Sequence, residues 1–294
     1  SDLYQYTLMR SYVDDGGNSS SDTIILILPG NDAADTVLPD YESASDTQPW
    51  WKSKPSQVYI SSGVTGVGDY AFADNSNLQA VVFQDASQIT YVGAYAFSGD
   101  SDAVFTDERN TDGAGLDLSG VTTMGEYAFN GCSRLTSVTL SGGITAEETD
   151  EDSGAKVPTD KKIPSHAFSN TRLTSISIPE GIEIIGEGAF SGCVNADSIT
   201  LPDSLKAIEN SAFACGIDGD NDAITALTIP ANVETIGDRA FYGFTAMATV
   251  VVESEVLEKP GDAAFGNNAL SAYSGQQTLE DGTVLEDAGT VFKT

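Results

Sequence analysis

An alanine followed directly by a phenylalanine occurs eight times: Ala71-Phe72, Ala96-Phe97, Ala128-Phe129, Ala167-Phe168, Ala189-Phe190, Ala212-Phe213, Ala240-Phe241 and Ala264-Phe265. Successive phenylalanines lie 25, 32, 39, 22, 23, 28 and 24 residues apart. A period near 23 is the mark of a repeat architecture, in which each unit buries its apolar face against its neighbours. At 294 residues the chain has the length of two average domains or of one extended array, and the repeat favours the array. The apolar content of 40% is enough for a continuous core.

The best-formed unit runs from Leu173 to Phe190, LTSISIPEGIEIIGEGAF. Leu173, Ile176 and Ile178 follow an L-x-x-L-x-L pattern, a short strand with Ile176 and Ile178 on one face. Pro179 ends the ladder because it has no N–H to donate. Gly181 marks a turn, Ile182 and Ile185 return to the core, and Ala189-Phe190 closes the unit. Other units keep the register: Leu135-Val138-Leu140, Ala196-Ile199-Leu201 and Leu227-Ile229 take the strand positions. Gly68, Gly93, Gly125, Gly186 and Gly237 stand just upstream of Ala-Phe, where the backbone needs positive φ or close approach. Stacking such units predicts a column of Phe72, Phe97, Phe129, Phe168, Phe190, Phe213 and Phe241, about 4.8 Å apart as neighbouring strands are.

The run Val121-Thr122-Thr123-Met124-Gly125-Glu126-Tyr127-Ala128-Phe129-Asn130-Gly131-Cys132, followed by Leu135-Thr136-Ser137-Val138-Thr139-Leu140, resembles the BspA-like leucine-rich repeat family of bacterial surface proteins. Residues 38–50, LPDYESASDTQPW, are similar to that family's N-terminal segment. The resemblance covers roughly residues 24–252. It implies a leucine-rich-repeat solenoid of seven or eight units, each a strand plus a turn or short helix, with extracellular adhesion or interaction with host molecules as its role and no catalytic residues. The sequence departs from the pattern in places. Pro164 replaces the glycine before Phe168, Cys215 falls one residue before the Gly-Cys position held by Cys132 and Cys193, and Ala264-Phe265 lacks the preceding Ile-Gly. The expected organisation is an N-terminal capping segment over 1–50, contributing a strand at Ile24–Leu28, then the solenoid over 51–252. Residues 253–294 form a degenerate last repeat and cap.

The formal charge is −31, from 44 acidic and 13 basic residues, and such a chain repels nucleic acid and anionic bilayers. The acidity sits in the ends and in insertions at about 98–112, 141–162 and 214–223, where it either solvates loops or meets a partner. Binding residues concentrate on such loops. The candidates are Asp107, Glu108 and Arg109 in the first insertion and Glu147, Glu148, Glu151 and Asp152 in the second. In the third, Asp218, Asp220 and Asp222 resemble the start of a calcium loop. A full EF-hand would place glycine and glutamate where Ala223 and Ile229 stand.

Outward strand positions read mostly as small hydroxyls, among them Ser175, Ser177, Ser198, Thr200 and Thr228, with few of the Trp, Tyr and Arg anchors that tight interfaces use. Trp50 and Trp51 read as core of the N-terminal cap. The sole histidine, His166, occupies a variable surface slot before Ala-Phe, held elsewhere by Tyr70, Tyr95, Tyr127, Gly188, Ser211 and Arg239. Without a positioned histidine or a nucleophile motif, the chain reads as non-enzymatic and without cofactor. Three cysteines are too few for a disulfide framework. The longest apolar run, Ile24–Leu28, is too short to cross a membrane as a helix. Beginning at Ser1, the chain reads as a mature or trimmed form of an extracellular or cell-surface protein whose partner is a protein or host-surface ligand. A structural spacer, or a cation-dependent binder using the acidic loops, are the other readings.

Overall fold

The computed structural model describes residues 4–13, 19–28, 37–42, 54–108, 115–149, 156–158, 160–215, 220–254, 256–257, 260–266, 277–278 and 284–285. Trp50, Trp51, Arg109, Glu151, Asp152 and Asp218 lie outside them. The chain divides into two compact units, Ser1–Ser141 and Gly142–Thr294, each a coil of parallel strands.

In the first unit, Tyr4–Val13 and Ser19–Leu28 form an antiparallel hairpin. Ser19–Leu28 then pairs in parallel with Gln57–Ile60, that strand with Ala80–Phe83, and that in turn with Val104–Asp107. The register aligns Ile25, Val58, Val81 and Phe105 in one buried row. A second row aligns Ile27, Ile60, Phe83 and Asp107. Two-residue strands make another wall: Gly66–Val67, Tyr91–Val92 and Thr123–Met124, with Val67, Val92 and Met124 buried. Leu116–Leu118 pairs with Val138–Leu140.

The first insertion is placed differently from the sequence expectation. Val104–Asp107 lies inside the span 98–112, yet it is a strand of the coil, and the extra residues follow it. Ala103 and Phe105 keep the inward alternation, but Asp107 stands where the apolar pattern calls for another aliphatic. That substitution conceals the strand.

In the second unit, Thr145–Thr149 and Lys156–Pro158 form an antiparallel hairpin within the second insertion. Beyond it, Lys162–Ile163, Ile184–Ile185, Ala207–Ile208 and Thr235–Ile236 pair in parallel, stacking Ile163, Ile185, Ile208 and Ile236 as buried neighbours. Ile176–Ser177 pairs with Ile199–Thr200, and Ala226–Ile229 with Thr249–Val252. The segment after the first strand of a repeat is thus mostly a second, very short strand. Among the described residues the one helical element is the 3₁₀ turn Ala86–Gln88.

The phenylalanines stack within each unit. In the first, Phe72–Phe97 and Phe97–Phe129 centroids are 5.4 and 5.3 Å apart, with planes 14° and 15° from parallel. In the second, Phe168, Phe190, Phe213, Phe241 and Phe265 continue at 5.5, 5.4, 5.1 and 5.3 Å. An offset stack slides the rings sideways, so centroids lie farther apart than the strands themselves. Phe265 belongs to the column although its repeat is degenerate in sequence.

The Ala-Phe turn forms a third hydrogen-bonded edge. Phe72 N–H donates to the Ala96 carbonyl at 2.8 Å, Phe97 to Ala128 at 2.9 Å and Phe190 to Ala212 at 2.7 Å. The residue before each Ala-Phe is left-handed: Tyr70, Tyr95, Tyr127, His166, Gly188, Ser211, Arg239 and Ala263 all have φ between 52° and 59°. The glycines three residues before Ala serve close approach instead. A Cβ on Gly186 would lie 2.7 Å from the Ile163 carbonyl oxygen of the preceding turn.

Candidate interaction surfaces

The strand faces sort as the alternation predicts. Ser175, Ser177, Ser198, Thr200, Ala226, Thr228 and Thr249 are exposed, while Ile176, Ile178, Leu227 and Ile229 are buried. This surface offers hydroxyls and little area on which a partner could anchor.

The turn edge of the first unit is different. Tyr70 and Tyr95 stack with centroids 4.8 Å apart and planes 3° from parallel, and Tyr95 and Tyr127 at 4.6 Å and 9°. All three are partly exposed. Burial raises the Tyr70 hydroxyl pKa, and the carboxylates of Asp69 and Glu126 raise it further. Tyr95 is pushed up to about 12 by burial, then by Glu126 and its neighbours Tyr127 and Tyr70. The row was missed in sequence because the slot reads as variable. Its signal was that three successive repeats of the first unit place tyrosine there.

Several carboxylates on the turn edges are structural acceptors. Asp40 Oδ1 accepts the Asp69 N–H at 2.9 Å, and Asp69 Oδ1 accepts the Ala94 N–H at 2.8 Å and the Tyr91 hydroxyl at 3.2 Å. In the second unit Glu209 Oε2 accepts the Glu187 N–H at 2.9 Å, and Asp238 Oδ1 accepts the Asp262 N–H at 2.6 Å. Charged acceptors strengthen these turn-to-turn bonds. Part of the acidity of the repeats therefore belongs to the fold. Each unit also has an open groove: a mostly polar one of about 410 Å³ lined by Ser76, Asn77, Gln79, Asp102, Val104 and Arg134, and one of about 480 Å³ of mixed character beside Glu187, Ile208, Glu209, Asn210 and Ile236.

The candidate loop residues separate. Asp107 is not on a loop: it is buried at the end of its strand, where Oδ2 accepts the Ala86 N–H at 3.2 Å. Glu108 is exposed beside it, its N–H donating to the Phe83 carbonyl at 2.9 Å. Glu147 lies on one arm of the second-unit hairpin, 3.5 Å from Lys156 Nζ across the strands, and Glu148 is opposite Val157.

Asp220 and Asp222 are exposed on either side of Asn221, which is buried. Its amide donates to the Val194 and Ala196 carbonyls at 3.2 and 2.7 Å, and Oδ1 accepts the Ala223 and Ile224 N–H groups at 3.1 Å each. Asn221 thus pins the third insertion to the core. Among the described residues no group of three His, Cys, Asp or Glu side chains converges as a metal site would.

His166 is a partly exposed member of the left-handed slot, its N–H donating to the Glu187 carbonyl at 2.8 Å. The cysteines are free and buried. Burial raises the thiol pKa of Cys193 to about 11 and of Cys215 to about 12, against thiolate chemistry. In the first unit, Asp100 stands at the repeat position that Cys132 holds one turn later. It is fully buried; Oδ1 accepts the Asn75 N–H at 2.9 Å, and Oδ2 has no hydrogen-bond partner. Burial holds its pKa well above the usual carboxylate value, the Asn75 bond opposing the rise.

The sequence matches the BspA type leucine-rich repeat region in six copies, over residues 102–150 and 161–281. Among curated proteins none matches. A leucine-rich repeat protein of Bacteroides ovatus is similar in structure, with TM-score 0.53 and 16% identity over 92% of this chain and 56% of that one. A leucine-rich cell surface protein of Faecalibacterium prausnitzii is 14% identical over 98% of both chains, with TM-score 0.32. The pneumococcal vaccine antigen PcpA is 15% identical over all of this chain and 92% of that one, with TM-score 0.31.

Proposed function

Because the chain belongs to the BspA-type leucine-rich repeat family, we propose that it is a non-catalytic interaction module displayed outside the cell, adhering to a protein or host-surface ligand. The observation that carries the location of binding is the hairpin of Thr145–Thr149 and Lys156–Pro158. Its returning arm, Lys156–Pro158, runs antiparallel to Thr145–Thr149, and the two arms bracket the acidic sequence DEDSGA of residues 150–155. Glu147 and Glu148 on its arm, with Glu151 and Asp152 in that sequence, are the proposed contacts; Glu108 and Arg109 are a second set. Insertions on repeat scaffolds are common places for a binding rim.

Replacing residues 150–155 by a glycine-serine segment of equal length tests this. Binding to immobilised matrix proteins and glycans is expected to weaken at least about tenfold, with melting unchanged. Equal binding by the two forms would remove the hairpin from the account. The chain spans 56% of the length of the Bacteroides ovatus protein. The second reading is a structural spacer within a larger surface protein. Failure of the intact chain to bind any member of the panel supports the spacer. Binding that disappears with a calcium chelator supports cation-dependent contact through the third insertion, with Asp218, Asp220 and Asp222 as ligands.

A further inference from the structure

We propose that the stacked tyrosines Tyr70, Tyr95 and Tyr127 form a docking strip for a lysine- or arginine-bearing peptide segment. The backbone does not ask for aromatics at this slot. Its φ values of 52°, 56° and 56° are in the left-handed region, which bulky residues enter at a cost. The second unit fills the same slot and conformation with Gly188, Ser211 and Ala263 as well as His166 and Arg239. Three successive tyrosines are therefore a property of this strip and not of the fold.

Stacking at 4.8 and 4.6 Å locks the rings against one another. Anchors fixed before binding lose little conformational entropy when a partner arrives. Tyr95 has a neighbouring ring on each side, so its faces are not open to a cation. The three rings are partly exposed. Asp69 and Glu126 directly precede Tyr70 and Tyr127 in the chain, and their carboxylates add to the rise of the Tyr70 hydroxyl pKa. Hydroxyl and carboxylate oxygens on one edge complement ammonium or guanidinium donors, while the rings cover the aliphatic stems. Charge complementarity thus selects a basic segment over an acidic one.

The test is fluorescence anisotropy of the full chain with a labelled decapeptide of alternating lysine and serine, at about 150 mM salt to screen diffuse attraction. The triple variant Tyr70→Ser, Tyr95→Ser, Tyr127→Ser leaves the net charge unchanged, and serine already occupies the slot at Ser211 with φ of 54°. It is expected to bind at least about tenfold more weakly. Glu126→Gln and Tyr95→Phe, which keep the stack, are each expected to lose about threefold. The hairpin replacement over 150–155 is expected to bind this peptide within about twofold of wild type, which separates this proposal from the hairpin reading. Equal affinity of wild type and the serine variant, or no binding by wild type, overturns the proposal. Should the serine variant not fold, unchanged affinity in both Glu126→Gln and Tyr95→Phe overturns it equally.

Discussion

Phe190 has a buried ring stacked on Phe168 at 5.5 Å and on Phe213 at 5.4 Å, so its removal opens a cavity between two neighbours. Phe190→Ala is expected to cost about 3–5 kcal/mol in chemical denaturation. Asp100 is the opposite case, a carboxyl in the core with one oxygen unpartnered. Its folded pKa is raised by burial, so its contribution to stability is fully present below the unfolded carboxylate pKa and is lost as pH rises through the folded value. Asp100→Asn keeps the acceptor for Asn75 without the charge. It is expected to be more stable than wild type at pH near 7 by about 1–3 kcal/mol, and the gap should close toward pH 4. Paired melts across that range check it, and a pH-independent difference would contradict the assignment. At this scale the column was legible, because Ala-Phe is invariant across eight units. Asp100 was not singled out: it lies within the first insertion, at a position where Cys132 and Cys193 are easily recognised.

Each repeat turn pairs along its edges, and the Ala-Phe edge demands the most particular backbone. Gly186 must let the Ile163 carbonyl approach within what would be 2.7 Å of a Cβ. Gly186→Ala is expected to cost about 1–3 kcal/mol, because the opposing atom is backbone and has little room to move. Thermal melts beside the Phe190 variant test it. The close approach could be anticipated from the recurring glycine. The left-handed slot could not, since its occupants range from glycine to arginine and tyrosine and share no side-chain chemistry. The same variability hid the tyrosine row, which becomes evident only when successive turns bring the rings to 4.8 and 4.6 Å. Val104–Asp107 was concealed for a different reason: one buried carboxylate interrupts an otherwise readable alternation.

For the whole molecule, the charge of −31 has two components. Some carboxylates, such as Asp69, Glu209 and Asp238, accept backbone N–H groups from the adjacent turn and serve the coil. Others, such as Glu108 and those of residues 150–152, lie in the insertions. The aromatic columns and aliphatic rows hold each unit from inside, which leaves the insertions and the exposed turn-slot side chains as the places to look for a partner. The most direct test of that division is a binding isotherm of the intact chain, up to about 10 μM, against immobilised extracellular-matrix proteins and glycans. The account predicts saturable binding to at least one of them, retained by variants of the exposed strand-face serines and weakened by the replacement of residues 150–155. Absence of saturable binding across the panel would contradict it and leave the coil as a spacer.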